Sequence, residues 1–193
     1  CPTDILVDYI SRLDKISAPG EEFHYSCLGY ITLAHIIHRI SGYDVAEFAS
    51  KYIYAPLGMT DTFFTPAAEY FTRCAPTELW KGVPLTGVVH DPLARLQGGV
   101  SGNAGLFSTA DDLLRYAMML LNKGKFNKAR ILSPLAVERM TEIYNRSEFA
   151  GRGLGWDLES DYSTNGGDLF GADSFGHTGY TGTSLWIDPD TET

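Results

Sequence analysis

The stretch from Leu28 to Ile40 constrains this chain more than any other. Leu28, Ile31, Leu33, Ala34, Ile36, Ile37 and Ile40 are too densely apolar for a surface helix, whose apolar side chains keep to one stripe. The sequence therefore predicts a largely buried, central helix running from Ser26 onward and closing at Ser41-Gly42, where glycine can end a helix. The chain has 193 residues, 44% of them hydrophobic, which is enough to build one globular domain around such an element.

Charge and composition remove several function classes. The net charge is −9, and none of the 15 basic residues form a run, so the clustered cations that grip nucleic-acid phosphates are missing and no nucleic-acid partner is expected. The apolar run Tyr116 to Leu121 is far shorter than the roughly 20 residues a membrane span needs. Cys1, Cys27 and Cys74 are odd in number and lack CxxC spacing, so neither a disulfide framework nor a zinc knot is indicated. No metal or cofactor is expected. With no initiator Met and no signal-type leader, both ends read as cut out of a longer protein.

Along the chain, Thr3 can cap an amphipathic helix carrying Ile5, Leu6, Tyr9, Ile10 and Leu13, which ends before Pro19-Gly20. Asp44 and Glu47 have capping-box spacing ahead of a helix that Pro56 is expected to stop. Residues 60–107 lose periodicity and read as a long ordered excursion over a surface. Ser108 or Thr109 then caps a strong helix over Asp111 to Asn122, ended by Gly124, and Ser133-Pro134 opens a shorter one. After Arg152, three segments read as short strands: Gly153 to Trp156, Ser174 to Gly179, and Thr183 to Ile187, the last closed by Asp188-Pro189-Asp190. The predicted class is α+β: one domain over 1–193, mainly helix and loop over 1–150 and strand over 151–193, with a sheet too small to be complete.

Two short motifs carry chemistry. Tyr25-Ser26-Cys27 stands at the mouth of the apolar helix, and His177-Thr178-Gly179 lies on a predicted strand. Taken alone, each reads first as a packing or hydrogen-bonded structural group. Rival constellations are weaker. Ala172-Asp173-Ser174-Phe175-Gly176 resembles a nucleophile elbow, but a strand follows it where an elbow needs a helix. His35 and His38 share a helix face without a HExxH glutamate or a third ligand, and the loop from Gly98 to Gly105 lacks the lysine of a phosphate-binding loop.

Four ordered blocks change the weighting: Pro19-Gly20 through Tyr25-Ser26-Cys27 to Tyr30; Tyr54-Ala55-Pro56-Leu57-Gly58-Met59-Thr60-Asp61-Thr62; Gly98-Gly99 through Phe107-Ser108-Thr109 to Leu113; and Gly176-His177-Thr178-Gly179-Tyr180-Thr181-Gly182. Together they resemble the serine β-lactamase and penicillin-binding-protein superfamily, in its class C-like branch of D-Ala-D-Ala peptidases and esterases. The resemblance implies a helix-rich β-lactamase-like fold and a small-molecule or peptide substrate. It places Tyr25 first in the Tyr-x-Asn motif, as a proton-transfer group, and His177 where the family has Lys or His before Thr-Gly. A free phenol is a poor base at neutral pH unless cations stand beside it. An imidazole changes charge near neutrality, so the resemblance implies a steeper pH dependence than with Lys. Thr178 and Gly179 are expected to form the strand edge that receives substrate, and the N–H of Tyr180 to donate to the oxyanion.

Two departures accompany it. Cys27 stands where the family most often has Asn, and a thiol is a weak replacement for an amide in substrate binding. No serine in the sequence is followed three positions on by lysine, so the family's Ser-x-x-Lys nucleophile block is missing. The expectation is part of a serine acyl hydrolase acting on β-lactams, D-Ala-D-Ala-type peptides or small esters, inert as an isolated chain. The alternative is a non-catalytic binding domain with a degenerate cleft. The family implies a periplasmic or envelope location, and exposed sheet edges around Gly176 to Ile187 are expected to invite self-association.

Overall fold

The structure, a computed structural model, describes residues 3–143, 151–158, 160 and 166–193. Cys1 lies outside these residues. The chain divides into two compact units, one of Cys1–Lys15 with Tyr25–Leu113, the other of Ile16–His24 with Leu114–Thr193.

In the first unit, α1 (Thr3–Ser11) packs against α2 (Cys27–Ser41). The Ser26 side chain accepts from the Leu28 N–H at 3.2 Å and so fixes the start of α2, while Gly42 closes it in the left-handed conformation. Only Ile31 and Ala34 of this helix are buried; Leu33 and Ile36 are exposed, and Ile40 is 82% exposed. The expectation of a largely buried helix is therefore corrected. Density of apolar residues records how much surface a helix can bury, and within these residues only the face carrying Ile31 and Ala34 is covered.

The Asp44 capping box forms as the spacing predicts, with Asp44 Oδ1 accepting from the Glu47 N–H at 2.8 Å and opening α3 (Val45–Ala49). Pro56 does not stop the helical path. A π-helical turn (Ser50–Tyr54) leads into α4 (Ala55–Leu57), where Pro56 takes an N-terminal position that needs no N–H, and Gly58 makes the stop.

Residues 60–107 contain more structure than an irregular excursion: β1 (Phe63–Phe64), a 3-10 helix (Ala68–Arg73), the ribbon of β2 (Leu79–Trp80) with β3 (Val83–Pro84), α5 (Pro92–Leu96) and β4 (Leu106–Phe107), which pairs antiparallel with β1. Each strand is two residues long, too short to show a period in sequence.

The last helix of this region, α6 (Ala110–Leu121), begins at Thr109, whose hydroxyl accepts from the Asp112 N–H at 3.3 Å. Buried Asp112 accepts from the Asp61 N–H and the Thr62 hydroxyl, both at 2.8 Å, and Thr62 also bonds Ser108 at 2.7 Å. The second and third sequence blocks are thereby stitched to each other.

In the second unit, β5 (Lys125–Phe126) and β6 (Ala129–Arg130) form a tight ribbon, and α7 (Pro134–Met140) starts at the Ser133 cap. The core here gathers Met119, Leu120, Val137, Trp156, Phe175 and Ile187. Trp156 meets Phe175 edge-on with ring centroids 5.2 Å apart. Gly153 to Trp156 is not the predicted strand: the segment bends, and only the flanking Arg152 and Asp157 bridge each other. β7 (Phe175–Thr178) pairs antiparallel with β8 (Ser184–Ile187) in the register Phe175↔Ile187 to Thr178↔Ser184, and Asp157 bridges Gly176 on the other side of β7.

Asp188 anchors the end of this hairpin. Its buried carboxylate accepts from the Thr191 hydroxyl at 2.7 Å, the Asp190 N–H at 2.9 Å and the Gly171 N–H at 3.2 Å. The Thr191 hydroxyl, with these backbone donors, holds the carboxyl below its ordinary value of 3.8 against the opposing effect of burial. A depressed carboxylate contributes stability that is complete above the ordinary value and is lost as pH falls through the lower, folded value. Thermal midpoints are thus expected to hold from neutrality to about pH 5 and to fall below about pH 4, with Asp188→Asn flattening that acid limb. Superimposable acid limbs for the two proteins would contradict this assignment.

Candidate active site

Tyr25 and Cys27 belong to the first unit, and His177, Thr178, Gly179 and Tyr180 to the second. Tyr25 immediately precedes the Ser26 cap of α2 and is 51% exposed. Cys27 is the first residue of α2, half-buried and not in a disulfide. The glycine-rich loop after α5 approaches this helix at backbone distance: a Cβ on Gly102 would collide with the Tyr30 carbonyl and touch the Ala34 methyl. Glycine is required there by contact with α2, without any appeal to a bound anion.

His177 and Thr178 occupy the outer half of β7, while Phe175 and Gly176 are buried. The Gly179 N–H donates to the Thr183 carbonyl at 2.7 Å, and a Cβ at Gly179 would collide with the Thr183 hydroxyl. A side chain at Gly179 would thus press on Thr183 in the β7–β8 turn, alongside the room for substrate that the resemblance implies. Tyr180 stands in the turn and is 87% exposed.

The second unit also brings to His177 two residues that the motifs did not single out. Arg152 Nη1 lies 3.0 Å from His177 Nε2, and Arg152 Nη2 donates to Asp157 Oδ2 at 3.2 Å. Asp157 is buried and also accepts from the Ser160 N–H at 3.2 Å and the Ser160 hydroxyl at 2.9 Å. Its backbone exchanges two hydrogen bonds with Gly176, at 2.8 and 2.9 Å, so the carboxylate is fixed to the strand that carries His177. The opposite ring nitrogen, Nδ1, lies 2.7 Å from the Thr178 carbonyl oxygen. The only sequence signal was an Arg and an Asp flanking Gly-Leu-Gly-Trp, and that spacing fits no repeating period.

Other candidates resolve into structural roles. His35 Nδ1 lies 3.1 Å from Asp4 Oδ1 of α1, without hydrogen-bond geometry. Among the described residues, no group of three or more His, Cys, Asp or Glu side chains is placed to hold a metal ion. Ser174 is buried and leads directly into β7, without the helix of a nucleophile elbow.

Helices with small antiparallel strand pairs are consistent with the α+β fold of the β-lactamase and penicillin-binding-protein class. The chain belongs to the beta-lactamase family, whose model matches residues 3–193. Over 202 residues it is 32% identical to a protein of Escherichia coli named "Putative D-alanyl-D-alanine carboxypeptidase", covering 95% of this chain and 46% of that one. The chain thus spans about half the length of the curated relatives it matches. Its fold is that of a penicillin-binding protein homologue from Pyrococcus abyssi, described as octameric (TM-score 0.70, 23% identity, 99% of this chain, 42% of that one). It is likewise that of EstCE1, described as a hydrolase with promiscuous acyltransferase activity (TM-score 0.74, 20% identity, 100% of this chain, 55% of that one).

Proposed function

We propose that the protein carrying this sequence is a serine acyl hydrolase of the β-lactamase and D-Ala-D-Ala peptidase type. Its substrate is a β-lactam, a D-Ala-D-Ala-ended peptide or a small ester. The observation that carries this reading is His177-Thr178-Gly179 on the outer half of β7, with the imidazole held at both ring nitrogens, in a chain that belongs to this family.

In this reading a serine oxygen attacks the acyl carbon while its proton is relayed through the Tyr25 hydroxyl. The phenol then returns that proton to the departing amine or alkoxide, and water later releases the acyl group. The Tyr180 N–H stabilises the oxyanion. The nucleophile is supplied outside these residues, because no serine here has lysine three positions on. The isolated chain is accordingly inert. Among the described residues no helix is long and apolar enough to cross a membrane, and membership of the beta-lactamase family supports a periplasmic or cell-envelope location.

Intact-mass measurement after incubation with a β-lactam and with a short activated ester tests this. An acyl adduct on the full-length protein, and none on residues 1–193 alone, is the expected result. Labelling of the short chain would overturn the missing-nucleophile argument. Failure of the full-length protein to acylate would favour a non-catalytic binding domain, the reading toward which Cys27 in the Asn position points.

A further inference from the structure

We propose that Arg152 is a positioning residue for His177: anchored by buried Asp157, its guanidinium donates to Nε2 and holds the imidazole in the neutral Nδ1–H form, so the permanent positive charge at this end of β7 belongs to Arg152. The proposal rests on the hydrolase reading for its catalytic meaning but not for its geometry. A guanidinium has only donors, and a backbone carbonyl only accepts. With Arg152 Nη1 at 3.0 Å from Nε2 and the Thr178 carbonyl at 2.7 Å from Nδ1, a single arrangement satisfies both contacts: Nδ1 carries the proton and Nε2 presents its lone pair to Arg152.

Arg152 is itself held. Its side chain is 12% exposed and that of Asp157 is 3% exposed. Its guanidinium carbon lies 5.4 Å from the Phe23 ring centre. Asp157 is locked by Ser160 and by its backbone bridge to Gly176. Lysine could not replace arginine here without loss, because one ammonium lacks the planar fork that reaches a carboxylate and an imidazole together.

The consequence for the reaction is a division of labour. In this motif position a lysine combines positive charge and proton donation in one group. Here the charge is fixed in the guanidinium and the imidazole is left as a neutral, oriented ring whose Nδ1 proton is committed to its own strand.

The test is nitrogen NMR of the full-length protein with labelled histidine, His177 being assigned by its loss in His177→Gln. The expected spectrum shows a protonated Nδ1 and an unprotonated Nε2 for His177. Arg152→Met is expected to abolish that preference and put the proton on Nε2 in part of the molecules. If Arg152→Met fails to fold, Arg152→Lys is expected to lose part of the Nδ1–H population. An Nε2–H ring in the unaltered protein, or an unchanged Nδ1–H population in the variant that folds, overturns the proposal. Absence of an acyl adduct would sink the hydrolase reading and leave this tautomer result standing. An Nε2–H ring in a protein that does acylate would sink the positioning role alone.

Discussion

Tyr25→Phe in the full-length protein is expected to lower kcat by about 10²–10⁴-fold, the usual contribution of a positioned acid/base group. Stability should barely change, because Tyr25 is 51% exposed and substitutions at such positions usually stay within about 0.5 kcal/mol. The ring remains, and only the hydroxyl is lost. The decisive measurement is a pre-steady-state burst with an ester substrate beside a thermal melt. A slow acylation phase with an unchanged melting temperature supports proton transfer by Tyr25. An unchanged burst, or a fall in rate matched by a collapse of the melt, would reduce Tyr25 to a packing residue.

The second large effect concerns Asp157. Asp157→Ala removes a carboxylate paired with Arg152 in a largely buried setting and the two hydrogen bonds it accepts from Ser160. Breaking a buried ion pair from one side typically costs about 3–5 kcal/mol, because the remaining charge stays desolvated. The urea midpoint of the transition that reports Trp156 and Trp186 should fall accordingly. Removing both charges, as Arg152→Met with Asp157→Leu, should recover much of the loss, since apolar replacements of similar volume can match a buried pair. A single variant that loses less than about 1 kcal/mol would show that Arg152 is solvated when its partner is gone.

These two expectations differ in how far the sequence announced them. The expectation for Tyr25 comes from a motif and awaits the burst measurement. Asp157 was not legible, because its importance arises from a bend that brings Arg152 and Asp157 opposite each other and from a bridge to Gly176, a residue distant in sequence. Local chemistry was read well where it acts over a few residues: the Asp44–Glu47 box, the Thr109 cap and the Ser133-Pro134 start all form. So does the β7–β8 hairpin, whose strands are four residues each. Burial was not legible, because it depends on distant surroundings. Ile40 is apolar and exposed because burial is a property of what lies against a helix. Pro56 was expected to be a terminator because proline disfavours a helix interior, yet the helical path reaches it through a π-helical turn and stops only at Gly58.

The stitch between Asp112 and Asp61-Thr62 bears on how such chains are recognised at all. Two of the four blocks that mark the family are held together by it, and none of their bonds involves a reacting group. A chain that had lost every catalytic side chain could keep these bonds, because they depend on none of those groups. Family membership and enzymatic competence are thus recorded in different residues, and a match to the first is no reading of the second. Competence has to be looked for in the residues proposed to move protons, Tyr25 and His177, and in whichever serine the full-length protein acylates.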